Sequence, residues 1–184
     1  LLMARELEVL TKALESPERP FAALLGGAKV SDKLAALQNL ASRVDTLLVG
    51  GGMAATFLKA DGAEVGDSLV EEELVPVASD LVHSASGRGF RLLLPKDVLV
   101  ADAFSEDANH KVVEVDHIPP KWRIMDIGPE SASLFGAALA SAKTVVWNGP
   151  MGVSEWPPFA EGTTRVARSL AGLAATTTIV GGGS

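Results

Sequence analysis

The chain has 184 residues, of which 47% are hydrophobic, and a formal net charge of −7 at pH 7. These values suit one folded domain and argue against global disorder. The acidic balance, without a Lys or Arg block, disfavours a nucleic-acid partner held by a basic face. The absence of Cys excludes disulfides and cysteine nucleophiles. Without an apolar run of about 20 residues or a signal-peptide pattern, we expect a cytoplasmic protein that binds no membrane.

The first predicted element is an amphipathic helix. Apolar residues from Leu2 to Leu14 recur on one side of it, and the segment Ser16–Pro20 ends it. We interpret residues 1–14 as a leading helix of the kind that connects one domain to another.

Beyond residue 20, apolar runs of strand length alternate with segments of helical spacing. The runs are continuous, which is typical of strands buried on both faces; they are Phe21–Leu25, Thr46–Val49, Phe90–Leu94, Val98–Ala101, Thr144–Trp147 and Thr177–Val180. Helical stripes comprise Leu34, Leu37 and Ala41 behind Ser31 as N-cap; Val70, Leu74, Val77, Leu81 and Val82; Glu130–Leu139 behind Pro129; and Phe159, Val166 and Leu170. The alternation predicts a three-layer α/β sandwich with a mostly parallel, Rossmann-like sheet and helices on both faces.

Four of the apolar runs end in glycine or in a proline-bearing turn. The turns are Gly26-Gly27-Ala28, Gly50-Gly51-Gly52, Asn148-Gly149-Pro150 and Gly181-Gly182-Gly183. Carboxyl ends of parallel strands share one edge, where open α/β folds bind ligands. Glycine lets backbone N–H groups approach a ligand, and helix N-termini add positive potential. One such turn is equally well explained as a tight connection, but four at one edge favour a phosphate or nucleotide site.

Two lysines strengthen the nucleotide hypothesis. Lys29 and Lys33 are four residues apart at the start of a predicted helix, so they project near each other. Two ammonium groups there can neutralise a polyphosphate. The alternative is a solvated surface pair, but their position directly after Gly26-Gly27-Ala28 favours the binding role. We interpret Asp32 as a charge at the helix terminus.

Other kinds of site lack their signatures. There is no Walker A pattern and no G-x-G-x-x-G after a strand, which argues against a P-loop or a dinucleotide cofactor. The histidines have no metal-ligand spacing; they are His83, His110 and His117. An acidic group lacks the glycine of a calcium loop, and we interpret it as solvated; it comprises Asp97, Asp102 and Asp107. Three tryptophans are candidates to line a base pocket, but large apolar residues more often belong to the core; they are Trp122, Trp147 and Trp156.

An ordered set of motifs resembles the phosphoglycerate kinase family along nearly the entire chain. The motifs are Gly26–Lys33, Gly50–Lys59, Leu94–Asp97, Asp126–Ser131 and Val146–Val153. The resemblance implies transfer of a phosphoryl group between 1,3-bisphosphoglycerate and ADP, giving 3-phosphoglycerate and MgATP in glycolysis. It implies that residues 20–184 are the nucleotide-binding domain, shortened at the carboxyl end. The lobe that binds phosphoglycerate would be absent from the chain, and the parent protein would be a monomer.

The resemblance also implies a set of nucleotide-binding residues. Lys33 would be the catalytic residue that stabilises the transferring group, and Glu155 would accept hydrogen bonds from ribose hydroxyls. The full set is Gly27, Ala28, Lys29, Lys33, Gly51, Gly52, Ile124, Met125, Asn148, Pro150, Gly152, Val153, Glu155, Gly182, Gly183 and Ser184. Phosphoryl transfer requires alignment and charge stabilisation rather than covalent chemistry by the protein.

Three positions depart from the family pattern. Ile124 stands where the family usually has Gly, so a nucleotide contact there would be through backbone, and Ser154 replaces a customary Phe. Ser184 follows Gly183 directly, where the family has the Asp that accompanies the nucleotide-bound Mg²⁺. We therefore predict no metal ligand in this chain, although Mg²⁺ would arrive with ADP or ATP.

Two hypotheses remain from the sequence. In the first, the chain is the nucleotide lobe of a kinase and is nearly inactive alone, because closure over both substrates needs the other lobe. In the second, it is a folded but catalytically silent fragment or interaction module.

Overall fold

The computed structural model describes residues 14–181. The predicted leading helix lies outside the described residues apart from its last residue, and so do Gly182, Gly183 and Ser184. The described strands are β1 (Phe21–Leu25), β2 (Thr46–Val49), β3 (Arg91–Leu93), β4 (Asp97–Ala101), β5 (His110–Glu114), β6 (Arg123–Ile127), β7 (Thr144–Asn148) and β8 (Thr177–Gly181). The described α-helices are α1 (Leu34–Ala41), α2 (Ala54–Ala60), α3 (Val75–Arg88), α4 (Pro129–Ala140) and α5 (Glu161–Ala171).

Five strands form an all-parallel sheet in the order β3-β2-β1-β7-β8. In register, Leu25 at the end of β1 lies beside Val49 of β2 and Asn148 of β7. The carboxyl ends of the three central strands therefore meet at one edge. The predicted mostly parallel sheet is confirmed.

Alternation along β1 divides the interior into two cores. Phe21, Ala23 and Leu25 pack with apolar residues of α1, α2 and α3 on one face. Ala22 and Leu24 pack on the other face against α4 and α5. Because successive side chains of a strand point to opposite faces, one buried strand supplies both cores. The predicted three layers, with helices on both faces, are confirmed.

A second, antiparallel sheet of order β5-β4-β6 was not predicted. The predicted strand at 98–101 belongs to this sheet and not to the parallel one. Val98 and Val100 of β4 are fully buried and pack against Leu58 and Val65. Strand β5 is almost wholly exposed, so it has no apolar run that would mark it in the sequence.

Three helix starts differ from the sequence prediction. Ser31 is not the N-cap of α1, because it lies inside a short 3₁₀ turn, Ser31–Lys33, that precedes the helix. Val70 and Phe159 belong to the segments that lead into α3 and α5, and not to those helices. Helix α2 was not predicted because Ala54–Leu58 is buried throughout and shows no polar face.

The interpretation of Asp97 as a solvated residue is wrong. Its side chain is buried and accepts hydrogen bonds from the backbone N–H groups of Glu130 (3.0 Å) and Ser131 (2.7 Å). These N–H groups belong to the first turn of α4, where backbone donors have no partner within the helix. Asp97 therefore fixes the start of α4 on the second sheet, whereas Asp102 and Asp107 are exposed as expected.

Strand β8 departs from the expected burial on both faces. It lies at the edge of the parallel sheet beside β7, and Val180 is 64% exposed. Apolar continuity in the sequence marked the strand but did not reveal its edge position. Within residues 14–181, no helix combines the length and the apolarity that crossing a membrane requires.

Candidate functional site

Three glycine-containing turns pack against each other at the carboxyl edge of the parallel sheet. The N–H of Gly27 donates to the carbonyl of Pro150 at 2.9 Å, and the N–H of Gly51 donates to that of Met151 at 3.0 Å. The N–H of Met53 donates to the carbonyl of Gly27, also at 3.0 Å. The turns after β1, β2 and β7 therefore form one hydrogen-bonded unit.

Glycine is required where these turns touch. Gly51 has φ +69°, and a Cβ there would lie 2.6 Å from the N atom of Gly27 and 2.8 Å from the O atom of Pro150. Gly149 has φ +95°, and its Cβ would lie 2.4 Å from the O atom of Gly26. Backbone therefore packs directly on backbone where the turns meet, which only glycine allows.

A cavity of about 530 Å³ opens beside these turns. Nine of the predicted nucleotide-binding residues line it: Gly27, Ala28, Gly52, Ile124, Met125, Pro150, Gly152, Val153 and Glu155. The other lining residues are Asp67, Leu69, Phe104, Arg123 and Trp156. The structure thus brings together predicted residues from the three turns after β1, β2 and β7 and from β6, while their role as nucleotide ligands stays a prediction.

Within residues 14–181, four predicted residues lie outside the cavity lining: Lys29, Lys33, Gly51 and Asn148. Lys33 Nζ donates to Asn148 Oδ1 at 2.5 Å, which joins the lysine to the end of β7. A Cβ on Gly27 would lie 3.6 Å from Lys33 Cε, so the lysine stem passes the first turn. Gly51 is buried beneath the turns, and Lys29 is exposed. We call the part of the site beside Gly27 and Lys33 the lysine end.

Glu71 holds the segment that carries the lysines. Its carboxylate accepts hydrogen bonds from the side chain of Ser31 and, at 3.1 Å, from the N–H of Ser31. Burial raises the pKa of Glu71. The hydrogen bonds and the charge of Lys29 together lower it by more than burial raises it, so the pKa lies below its ordinary value. The ionised carboxylate is the form that the segment stabilises.

The far end of the cavity was missed by sequence reasoning. The N–H of Asp67 donates to the carbonyl of Trp122 at 2.8 Å, and Ser68 Oγ accepts from the N–H of Ile124 at 2.9 Å. These bonds dock the loop before α3 onto β6, and they bring Leu69 to the cavity wall. No local motif announces such a contact, because it joins residues more than 50 positions apart.

Aromatic side chains complete this end. The rings of Phe104 and Trp156 lie 4.9 Å apart between centroids, and Phe104 is 60% exposed. The core interpretation is confirmed for Trp147, which is 7% exposed and donates Nε1–H to the carbonyl of Gly149 at 2.7 Å. Trp156 instead agrees with the pocket alternative, because it is half-buried and lines the cavity. The site thus has an aromatic, apolar end and a lysine end.

Asp126 lies behind the wall of the cavity. Its carboxylate accepts hydrogen bonds at 2.8 Å from the N–H groups of Ile127 and of Gly162, in the first turn of α5. A Cβ on Gly152 would lie 2.5 Å from Asp126 Oδ1. Burial raises the pKa of Asp126 to about 7, against the two N–H donors that lower it and with a smaller contribution from Glu161 that raises it.

This raised pKa predicts a specific dependence of stability on pH. The folded protein binds the Asp126 proton more tightly than the unfolded chain, in which the pKa of Asp126 is near 3.8. Stability from this group is therefore present at pH 4 and is lost as the pH rises to about 7. Asp126→Asn cannot titrate, so the unfolding free energy of wild type should fall relative to the variant by about 2–4 kcal/mol over this range.

Urea unfolding at pH 4.5, 6 and 7.5 measures this difference. Asp61→Asn is the control, since Asp61 is exposed and should keep a constant offset from wild type. If the unfolding free energies of wild type and Asp126→Asn changed equally with pH, the pKa of Asp126 would not be raised in the folded protein.

The described residues contain one group with three adjacent metal-ligating side chains, Glu114, Asp116 and His117. All three are exposed, and none lines the cavity. The group therefore carries no argument for a metal in the site.

Comparison with known proteins agrees with the motif order. The family model described as phosphoglycerate kinase matches residues 1–184. The chain belongs to the phosphoglycerate kinase family. It is 56% identical over 182 residues to the phosphoglycerate kinase of Roseiflexus sp. strain RS-1, and 54% identical over 182 residues to that of Moorella thermoacetica. Each match covers 99% of this chain and 46% of the relative.

Solved structures of the family agree with the fold. The phosphoglycerate kinase of Coxiella burnetii has a TM-score of 0.94 at 43% identity, and the match covers 99% of this chain and 46% of that one. The enzyme of Pyrococcus horikoshii OT3 has a TM-score of 0.81 at 27% identity, covering 99% and 51%. The chain spans about half the length of these phosphoglycerate kinases.

Proposed function

We propose that this chain is the nucleotide-binding lobe of a phosphoglycerate kinase, which transfers a phosphoryl group between 1,3-bisphosphoglycerate and ADP to give 3-phosphoglycerate and ATP. One observation supports the proposal most strongly. Residues from three of the five family-like motifs line a single cavity together with the aromatic residues Phe104 and Trp156, and the Lys33 side chain passes the Gly27 turn in its wall. Such a cavity has an apolar place for a base and a cationic place for phosphates.

In the proposed complex, the turns and the lysines bind the phosphates. Gly27 and Gly52 lie on the cavity wall, and their lack of side chains lets phosphate oxygens approach the backbone. The Lys33 side chain passes the Gly27 turn, and Asn148 orients its ammonium group. The ammonium stabilises negative charge on the transferring phosphoryl group, which is the main requirement of this reaction.

The base and ribose occupy the remainder of the cavity. Met125, Phe104 and Trp156 supply apolar and aromatic surface for a purine. Glu155 is exposed on the same wall, so its carboxylate is able to accept hydrogen bonds from ribose hydroxyls. Mg²⁺ enters as part of the nucleotide substrate. The carboxylates that line the cavity are Asp67 and Glu155, on the base and ribose side, so we derive no step through the ion.

The other partners follow from the family and from the length of the match. Phosphoglycerate would bind to the part of the kinase that this chain does not include, and the parent protein would act as a cytoplasmic monomer. Alone, the 184-residue chain should bind nucleotide and have little kinase activity, because both substrates must be enclosed together. The competing proposal, a silent interaction module, predicts no selective ligand for the cavity.

Isothermal titration with ADP and with adenosine tests the proposal. We expect ADP to bind and to be preferred over adenosine by at least about tenfold, because only ADP reaches the lysine end. The preference for ADP over adenosine should decrease as the salt concentration rises, because salt screens the attraction between the phosphates and the lysine. Absence of ADP binding, or equal affinity for the two ligands, would favour the silent module.

A further inference from the structure

A short segment links the aromatic end of the cavity to the segment that carries the lysines. We call residues 67–71 the strap. The hydroxyl of Ser68 accepts a hydrogen bond from the backbone of β6, and Leu69 lines the cavity. The last residue of the strap, Glu71, accepts hydrogen bonds from both the N–H and the hydroxyl of Ser31. The strap therefore contacts the segments that build both ends of the proposed nucleotide site.

The backbone of Glu71 is fixed to the interior of the protein. Its N–H donates to Thr56 Oγ1 at 3.2 Å, and Thr56 is only 1% exposed. Thr56 belongs to α2, the helix that follows the glycine turn after β2. The carbonyl of Glu71 accepts a hydrogen bond at 2.9 Å from the N–H of Leu74, in the turn that leads into α3. The Glu71 side chain thus projects from a point that two elements hold in place.

The lysine segment, residues 29–33, has less packing of its own. Val30 is fully buried, whereas Lys29 and Ser31 are exposed. The 3₁₀ turn within the segment has no side-chain cap. Hydrogen bonds in such turns have poorer geometry than those of an α-helix, so the turn alone fixes the segment weakly. The two bonds to Glu71 tie this exposed segment to the fixed strap.

The charge of Glu71 by itself opposes phosphate binding. The carboxylate lies beside the segment whose lysines are proposed to bind phosphates, so its Coulomb repulsion weakens that binding. A carboxylate that positions the lysines would instead strengthen the binding, provided that this gain exceeds the repulsion. The two roles therefore predict opposite changes of affinity when the carboxylate is removed.

We infer that Glu71 is a positioning residue for the phosphates of the nucleotide, acting through Ser31 on the segment of Lys29 and Lys33; the inference rests on the proposed nucleotide function. Because the segment is held before the ligand arrives, less conformational entropy is lost when the lysines contact phosphate. Glu71 is absent from the cavity lining and touches no part of the base site. Its effect should appear in the affinity for ADP and be absent from the affinity for adenosine.

Isothermal titration of the full chain with ADP and with adenosine, at constant salt, measures this effect. Glu71→Ala removes both hydrogen bonds to Ser31, and it should weaken ADP binding about tenfold while changing adenosine binding less than about twofold. Glu73→Ala is the control, because Glu73 is exposed two residues further along the chain and is absent from the cavity lining. It makes the same change of charge and should leave ADP affinity unchanged or slightly higher.

A substitution of Ser31 tests the same contact from the other side. Ser31 is exposed, so Ser31→Ala should fold, and it removes the hydroxyl bond while Glu71 keeps its charge. We expect ADP binding to weaken about threefold. The double variant with Glu71→Ala should bind ADP no more weakly than Glu71→Ala alone, because the shared bond is already lost.

The outcomes separate this inference from the proposed function. ADP affinity in Glu71→Ala that equals or exceeds that of wild type overturns the inference, because the charge alone would then explain the result. An equal loss for ADP and adenosine also overturns it, since general destabilisation has that effect. Additive losses in the double variant would give Ser31 and Glu71 separate roles and overturn it as well. Wild type without a preference for ADP over adenosine contradicts the proposed function itself.

Discussion

Replacing Lys33 with Met should lower the turnover number of phosphoryl transfer by about 100-fold or more, measured in the proposed parent kinase that contains both lobes. The side chain passes Gly27, and its ammonium group is held 2.5 Å from Asn148 Oδ1 at the carboxyl end of β7. It is therefore positioned before substrate binds, which makes its charge effective in the transition state. Loss of a single preorganised stabilising group typically costs 10²–10³ in turnover. We expect KM for ADP to rise less than turnover falls.

A lysine far from the site gives the matched control. Lys143 is exposed and immediately precedes β7, at the opposite edge of the sheet from the site. Lys143→Met makes the same change of charge and should retain turnover within about threefold of wild type. Steady-state kinetics with saturating 1,3-bisphosphoglycerate compares the two variants. Similar turnover for both would remove Lys33 from the catalytic role.

Replacing Gly51 with Ala should destabilise the protein by about 3 kcal/mol or more and weaken ADP binding. A residue with a side chain is strained at φ +69°, which costs about 1–3 kcal/mol. The added Cβ would also lie within 2.8 Å of backbone atoms of Gly27 and Pro150, which have no flexible side chain to move aside. Overpacking of this kind adds about 1–3 kcal/mol. The displaced atoms belong to two turns of the cavity, so affinity should fall with stability.

Gly62 separates strain from overpacking. It also has positive φ, +97°, but a Cβ there would meet nothing within 4 Å. Gly62→Ala should therefore show the cost of backbone strain alone and leave ADP affinity unchanged. Urea unfolding and ADP titration of both variants test this. If Gly51→Ala lost no more stability than Gly62→Ala, the three turns would not form the tightly packed unit described here.

The parallel sheet and the lysine end of the site were predictable because their signals are local. Each central strand is a short apolar run followed directly by its turn, and parallel topology is sufficient to bring the three turns to one edge. Lys33 follows the first turn within six residues of Gly27. In such cases sequence neighbours are also neighbours in the site.

The sequence offered Trp156 as one of three candidates for a base pocket, but the assembly of the aromatic end was not predictable because it depends on tertiary contacts. Phe104 follows β4 of the unpredicted second sheet, whereas Trp156 precedes α5, and the two meet only after folding. Asp67 and Leu69 arrive on a loop docked to β6. The prediction for Asp97 was wrong for the same reason. This acidic residue was expected in solvent, but it is buried and accepts hydrogen bonds from the N-terminus of α4.

A crystal structure of the protein with ADP would test the central claim most directly. We expect the base between Met125 and the aromatic pair Phe104 and Trp156. The ribose should lie beside Glu155, and the phosphates should lie against the Gly27 turn within hydrogen-bond distance of Lys33. Density for ADP in another part of the molecule, or in this cavity with its phosphates directed away from Lys33, would contradict it.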